Sequence, residues 1–200
     1  MIVSHLGKTP CIDPTAYVAP NALLCGDVTI GPGSRILFGA QLVAEGGSIA
    51  IGAESIVMEN AVLRSTERHA LRIGDNCLVG PQAHLVGCTV EEEVFVATGA
   101  SIFHAAHVGK GGEVRINAVV HLRTRLAPEA TVPIGWVAVG DPAQLFPPDR
   151  HGRIWAIQKP LNFPLTAYGI ERDEADMVKI TRRLAAELGR HAGDSAVEGA

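Results

Sequence analysis

Aromatic residues make up only 4% of this 200-residue chain, so whatever core it builds must be filled by aliphatic side chains. Positive charge is scarce too: 17 Lys and Arg stand against 21 Asp and Glu, for a net charge of −4. With no basic stripe to neutralise phosphates, nucleic acid is not an expected partner. No apolar run approaches the roughly 20 residues that a membrane span requires, so no membrane partner is expected either. The opening residues Met1 to His5 lack the charged segment followed by an apolar stretch that marks a signal peptide. Cys11, Cys25, Cys77 and Cys88 show no CxxC pairing, and without an export signal the expectation is four reduced thiols in a cytoplasmic protein.

What the chain has instead is a period of six. Aliphatic residues run Ile12, Val18, Leu24, Ile30, Ile36, Leu42, restart at Ile51, Val57, Leu63 and at Ile73, Val79, Leu85, then continue from Val90 to Ala138. Four places after most of them sits a small side chain, among them Ala22, Ser34, Ala40, Ser55, Ala61, Cys77, Thr89 and Ala100. Neither a helical period nor strand alternation gives this pattern. It marks a β-helix, whose coils bury their apolar row only by stacking on one another. Three hexads make one triangular coil, so about seven coils are predicted, with three aliphatic columns that begin at Leu24, Ile12 and Val18. Every break in register follows the Leu24 column, after Leu42, Leu63 and Leu85. The irregular loops, 43–50 and 64–72, therefore share one corner of the prism, where function is expected.

The pattern stops after Ala138. The reading is a β-helix over residues 1–145 and a connecting segment rich in Pro and aromatics over 146–170. A C-terminal helix with a frayed tail is expected over 171–200, with Met177, Thr181, Leu184 and Leu188 as its apolar stripe. Flat prism faces and apolar residues beyond the solenoid point to a homo-oligomer.

The segments Gly26-Asp27-Val28-Thr29-Ile30-Gly31, Ile73-Gly74-Asp75-Asn76-Cys77-Leu78-Val79-Gly80, Leu85-Val86-Gly87-Cys88-Thr89-Val90 and Gly140-Asp141-Pro142-Ala143 together resemble the γ-class carbonic anhydrase family of hexapeptide-repeat proteins. The resemblance covers roughly residues 8–145. It implies a left-handed parallel β-helix, a homotrimer, and a Zn²⁺ or Fe²⁺ site between subunits held by three histidines. At the positions that correspond to those ligands this chain carries Arg64, Pro81 and Val86. A guanidinium repels a cation, and proline and valine side chains have no donor atom. His84, His104, His107 and His121 lie on or near the same face, yet no third donor completes a set with them. No metal and no cofactor are therefore expected.

What remains is an intersubunit cleft with an apolar floor of Val86, Phe103 and a neighbour's Pro81, with His84, Glu59 and His121 close by. Its polar rim would come from Glu45, Arg64, Glu67 and His69. An apolar pocket with a few convergent polar groups is the usual form of a small-molecule site. Arg64 is the candidate clamp for a carboxylate or enolate oxygen, and Glu67 or His69 the candidate acid-base group. The first reading is thus a metal-independent site for binding or catalysis. The alternatives are a non-catalytic structural or interaction trimer, its cleft plugged by ion pairs, and a hexapeptide acyltransferase using His104 or His121 as general base.

Overall fold

The structure is a computed structural model that describes residues 1–197. Three parallel sheets form the sides of a triangular β-helix, and the three aliphatic columns lie in register along them. Leu24 pairs with Leu42, Leu42 with Leu63, Leu63 with Leu85, Leu85 with Ile102, Ile102 with Val120 and Val120 with Ala138. The Ile12 and Val18 columns each form a seven-stranded sheet in the same way. Leu24, Ile36, Leu42, Leu63, Leu85 and Ile102 are fully buried, so the hexad period becomes one continuous aliphatic core.

The small-residue column is the second half of the fold. Ser34 Oγ donates to the carbonyl of Gly52 at 2.7 Å and accepts from Ser55 N–H at 3.0 Å. Ser55 Oγ repeats this one coil on, donating to the Gly74 carbonyl at 2.8 Å and accepting from Cys77 N–H at 3.0 Å. Cys77 ends the run, its Sγ 3.0 Å from the Glu91 carbonyl. Buried hydroxyls here satisfy backbone groups that a turn would leave unpaired. At this corner the coils touch through glycine: a Cβ on Gly74 would lie 2.6 Å from Glu92 N.

Five features differ from the sequence reading. An eighth turn begins the solenoid, since Ile2–Ser4 pairs in parallel with Leu23–Cys25. At the shortened corner after Leu85 the buried small slot is Cys88, with Thr89 turned partly outward. The segment 146–170 is not a mere connector. It holds helices α1 (His151–Gln158) and α2 (Phe163–Tyr168), the second capped by Asn162. The last long helix, α3 (Met177–Leu188), starts six residues later than expected because Asp176, in extended conformation, caps it by accepting from Lys179 N–H at 2.8 Å. Its inward face carries Ile180, Leu184 and Glu187, while Met177 and Val178 stay exposed.

The segment expected as a frayed tail carries assigned structure through Ala196. A 3₁₀ turn (Gly189–Gly193) leads to Ser195–Ala196, which pairs antiparallel with Ile2–Ser4. At the other end Gln144–Phe146 turns back antiparallel onto Val137–Val139. The sheet that carries the corner loops is therefore covered at both edges. The remainder of the expected tail, residues 198–200, lies outside the described residues.

Candidate functional site

Strands Gln41–Glu45 and Val62–Thr66 run two residues past the usual hexad strand and pair along their whole length, Gln41 with Val62 through Glu45 with Thr66. This extension stiffens the register-breaking corner and sets Arg64 directly beside Val43 on one side and Val86 on the other. The loop that follows is closed by a bridge between Thr66 and His69. It is fastened to α2 by Arg68, which donates to the Leu165 carbonyl at 3.1 Å, and by His69 Nε2, 3.3 Å from the Thr166 carbonyl.

The result is a cleft of about 290 Å³ within one chain. Val86 and Phe103 form its floor and Phe163, Tyr168 and Leu184 its outer wall. Glu45, Arg64, Glu67, His84, His104 and Arg190 supply the polar groups. Of the residues expected from sequence, Glu45, Arg64, Glu67, His84, Val86 and Phe103 converge there. His69 stands just behind the lining, edge-on to His104 with ring centroids 5.7 Å apart. His121 lines a separate hollow with Trp155 and Arg172. Pro81 opens onto a different, larger groove of about 520 Å³ with Met58, Leu78, Phe95, Ile116 and Ile134. Glu59 lines neither concavity. The aromatic and α3 walls were not legible in the hexads, because these residues follow the solenoid and reach the corner only through α2 and α3.

Charge in the cleft is arranged around one carboxylate. Glu45, almost fully buried, accepts from Arg64 Nη2 at 2.7 Å, and both its oxygens lie 3.1–3.2 Å from His191 Nε2. Among the described residues the other nitrogens of Arg64 make no hydrogen bond, and its side chain is 39% exposed. Glu67 sits on the rim, two-thirds exposed, 3.7 Å from Arg190. Burial, reinforced by His69, His84 and Arg64, pushes the His104 imidazole down to about 4. Burial and then Arg64 lower His84 as well, and burial alone takes His121 down to about 4. His104 is thus a neutral ring at pH 7 facing the cleft, with its Nδ1 buried and unpartnered among the described residues. The arrangement brings the Arg64 guanidinium and two neutral imidazoles to an apolar floor, with Arg190 paired to Glu67 at the rim.

A three-sided β-helix with a hexad period and a cleft at its one irregular corner defines the hexapeptide-repeat class. Comparison with known structures agrees. A candidate acetyltransferase of Bacillus cereus superposes with a TM-score of 0.60 at 19% identity, covering 92% of this chain and 88% of the other. A hexapeptide transferase family protein from Anaplasma phagocytophilum does so at 0.50 and 21%, covering 94% and 97%. Both likenesses are of fold. No family model matches the chain. Sequence relatives include "Gamma carbonic anhydrase 1, mitochondrial" of Arabidopsis thaliana, 36% identical over 149 residues, 72% of this chain and 52% of that protein. "Carbonic anhydrase" of Geobacillus kaustophilus is 30% identical over 111 residues, 56% and 61% of the two chains. Over its repeat region the chain is similar to γ-carbonic anhydrases, and it spans about half the length of the plant relatives it matches. Among the described residues no helix is long and apolar enough to cross a membrane.

Proposed function

We propose that this protein is a homotrimer whose corner cleft binds a small carboxylate-bearing or acyl molecule with no metal in that cleft. The observation that carries the reading is Arg64: a guanidinium above an apolar floor, spending one nitrogen on Glu45 and leaving the others toward the cleft. A carboxylate that takes those donors gains a charge-assisted fork while its alkyl part covers Val86 and Phe103.

The family's catalytic metal does not fit here. The resemblance puts its three ligands at Arg64, Val86 and Pro81. Arg64 and Val86 are indeed neighbours across adjacent coils, but one is a permanent cation and the other has no donor atom. Pro81 faces the second groove and has none either. Zinc that activates water needs three lone-pair donors about 2.0–2.1 Å from the ion. The second groove, apolar apart from Arg115 and Thr98, suits burial against another copy, which would bring its Pro81 toward the cleft. Four unpaired cysteines suit the reducing cytoplasm.

The test is calorimetric titration with a series of straight-chain monocarboxylates, on wild type and on Arg64→Ala. Binding that strengthens with chain length and weakens about 10- to 100-fold in the variant, the worth of a charged hydrogen bond, supports the proposal. No binding, or equal binding by both proteins, overturns it.

Acyl transfer is the second reading, and His104 favours it: a neutral imidazole in the cleft is the protonation state a general base requires. Turnover of acyl thioesters that His104→Gln abolishes would move the assignment to that reading. Glu67 and His69 are less well placed, one exposed beside Arg190 and the other held against Thr166 behind the lining.

A further inference from the structure

Where the C-terminal segment returns to the first coil, four side chains meet that no helix or hexad pattern brings together. His5 follows the first strand, Cys25 ends Leu23–Cys25, His191 lies within the 3₁₀ turn after α3, and Asp194 caps that turn. One donor atom from each lies within 4.8 Å of every other. Asp194 is the hub: Oδ1 is 2.5 Å from His5 Nδ1, Oδ2 is 2.7 Å from His191 Nδ1, and Cys25 Sγ is 3.7 Å from Oδ2. The two imidazoles stack with centroids 4.3 Å apart. His5 and Cys25 are buried, and His5 Nε2 has no hydrogen-bond partner among the described residues.

We propose that His5, Cys25, His191 and Asp194 bind one zinc ion, a structural site separate from the cleft and independent of how the cleft is read. Two nitrogens, one sulfur and one carboxylate oxygen form a tetrahedral donor set of the kind zinc takes. Bonds of about 2.0–2.3 Å place tetrahedral ligands some 3.3–3.8 Å apart, which the Cys25–Asp194 separation already matches. The shorter contacts need open by less than about 1 Å once the metal replaces the shared protons. Charge closes as well: thiolate and carboxylate together cancel the dication, so no net charge is buried. The next shell is in place, since His191 directs its far nitrogen, Nε2, at Glu45 and Glu45 is held by Arg64. A carboxylate behind a ligating imidazole fixes the ring for its metal.

With all four positions taken by protein, the ion would have no site for water and would act as a staple. It would bind the segment 189–197, and through it α3, to the first coil. Binding exchanges the Cys25 thiol proton, and any proton shared between the histidines and Asp194, for the cation.

The test is cobalt(II) titration of the reduced full-length protein, freed of metal by dialysis against chelator. The expected result is one cobalt per chain with intense tetrahedral visible bands and a thiolate-to-cobalt charge-transfer band, all displaced by zinc. Cys25→Ser should lose the charge-transfer band, and Glu45→Gln should keep it with zinc bound about 10- to 100-fold more weakly. Hydrogen exchange on the wild type should show the Val197 amide, bonded to the Ile2 carbonyl, losing protection when the metal is removed. No cobalt uptake, weak octahedral bands alone, or an unchanged charge-transfer band in Cys25→Ser would each overturn the proposal. If Cys25→Ser does not fold, the wild-type spectrum and Asp194→Asn decide: absence of the charge-transfer band, or full affinity in Asp194→Asn, is then fatal.

Discussion

Arg64 is the residue on which the proposed chemistry of the corner turns. A donor at that position can serve a cation, whereas a guanidinium in the same place rejects a cation and recruits an anion. The expected outcome is that zinc loading leaves CO₂ hydration at the rate of protein-free buffer, even if the His5–Cys25 cluster takes up the ion, because that cluster has no open position. Stopped-flow CO₂ hydration before and after loading checks this. His104 and His121 make a second prediction at the same scale. Their folded pKa values lie near 4, below the ordinary value of about 6.5. The unfolded chain therefore takes up protons first as pH falls, and the fold loses stability across the window from about 6.5 to 4. His191 has the opposite sign. Its hydrogen bond to Asp194 and those to Glu45 outweigh burial and raise it, so its contribution is full below about 6.5 and fades as pH rises through the raised value. In metal-free protein Tm should fall from pH 6.5 to 4, and His104→Gln with His121→Gln should remove most of that slope.

At the level of elements, the cleft depends on parts that lie outside the repeat. Leu184, Glu187, Leu188 and Arg190 reach it from α3 and the turn beyond, and Phe163, Ala167 and Tyr168 from α2. Truncation after residue 176 should leave a folded β-helix by far-UV circular dichroism. It should also cost at least about tenfold in carboxylate affinity, as expected for exposing one aliphatic wall, and remove His191 and Asp194, two of the four members of the His5 cluster. The solenoid itself should respond to core deletions rather than to tail loss: Leu63→Ala, at a fully buried position, should cost about 2–5 kcal/mol in denaturant unfolding. This division explains what the sequence revealed. Leu63 and its column announce themselves by period, since every coil repeats the same demand, and Glu45 and Arg64 could be placed together because two loops break register at one corner. His5 and Asp194 are 189 positions apart, and no periodic signal links them. The same holds for Phe163 and Tyr168, whose short helix α2 is held by contact with a loop. The late start of α3 turned on one aspartate's cap, where acids spread along 171–176 read equally well as a first helical turn.

The whole molecule has one face still to be accounted for. Phe95, Ile116 and Ile134 are exposed beside Leu78 and Pro81 in the larger groove, a concavity separate from the one that α2 and α3 line. In the proposed trimer this is the surface that another copy covers. Ile116→Lys should convert a trimer to monomers in sedimentation velocity without loss of β structure, and a wild type that sediments as a monomer would refute the assembly.

The strand Ser195–Ala196 also dictates an order of events. Coils two to eight can stack as they are synthesised, each finishing the one before it. The first strand's outer edge, however, keeps unpaired amides and carbonyls until the C-terminal segment has been made and has travelled the length of the prism to meet it. A growing chain thus carries an open β edge, a template for pairing with other chains, throughout its synthesis. Pairing of that edge with Ser195–Ala196 removes the template from the ten-stranded sheet.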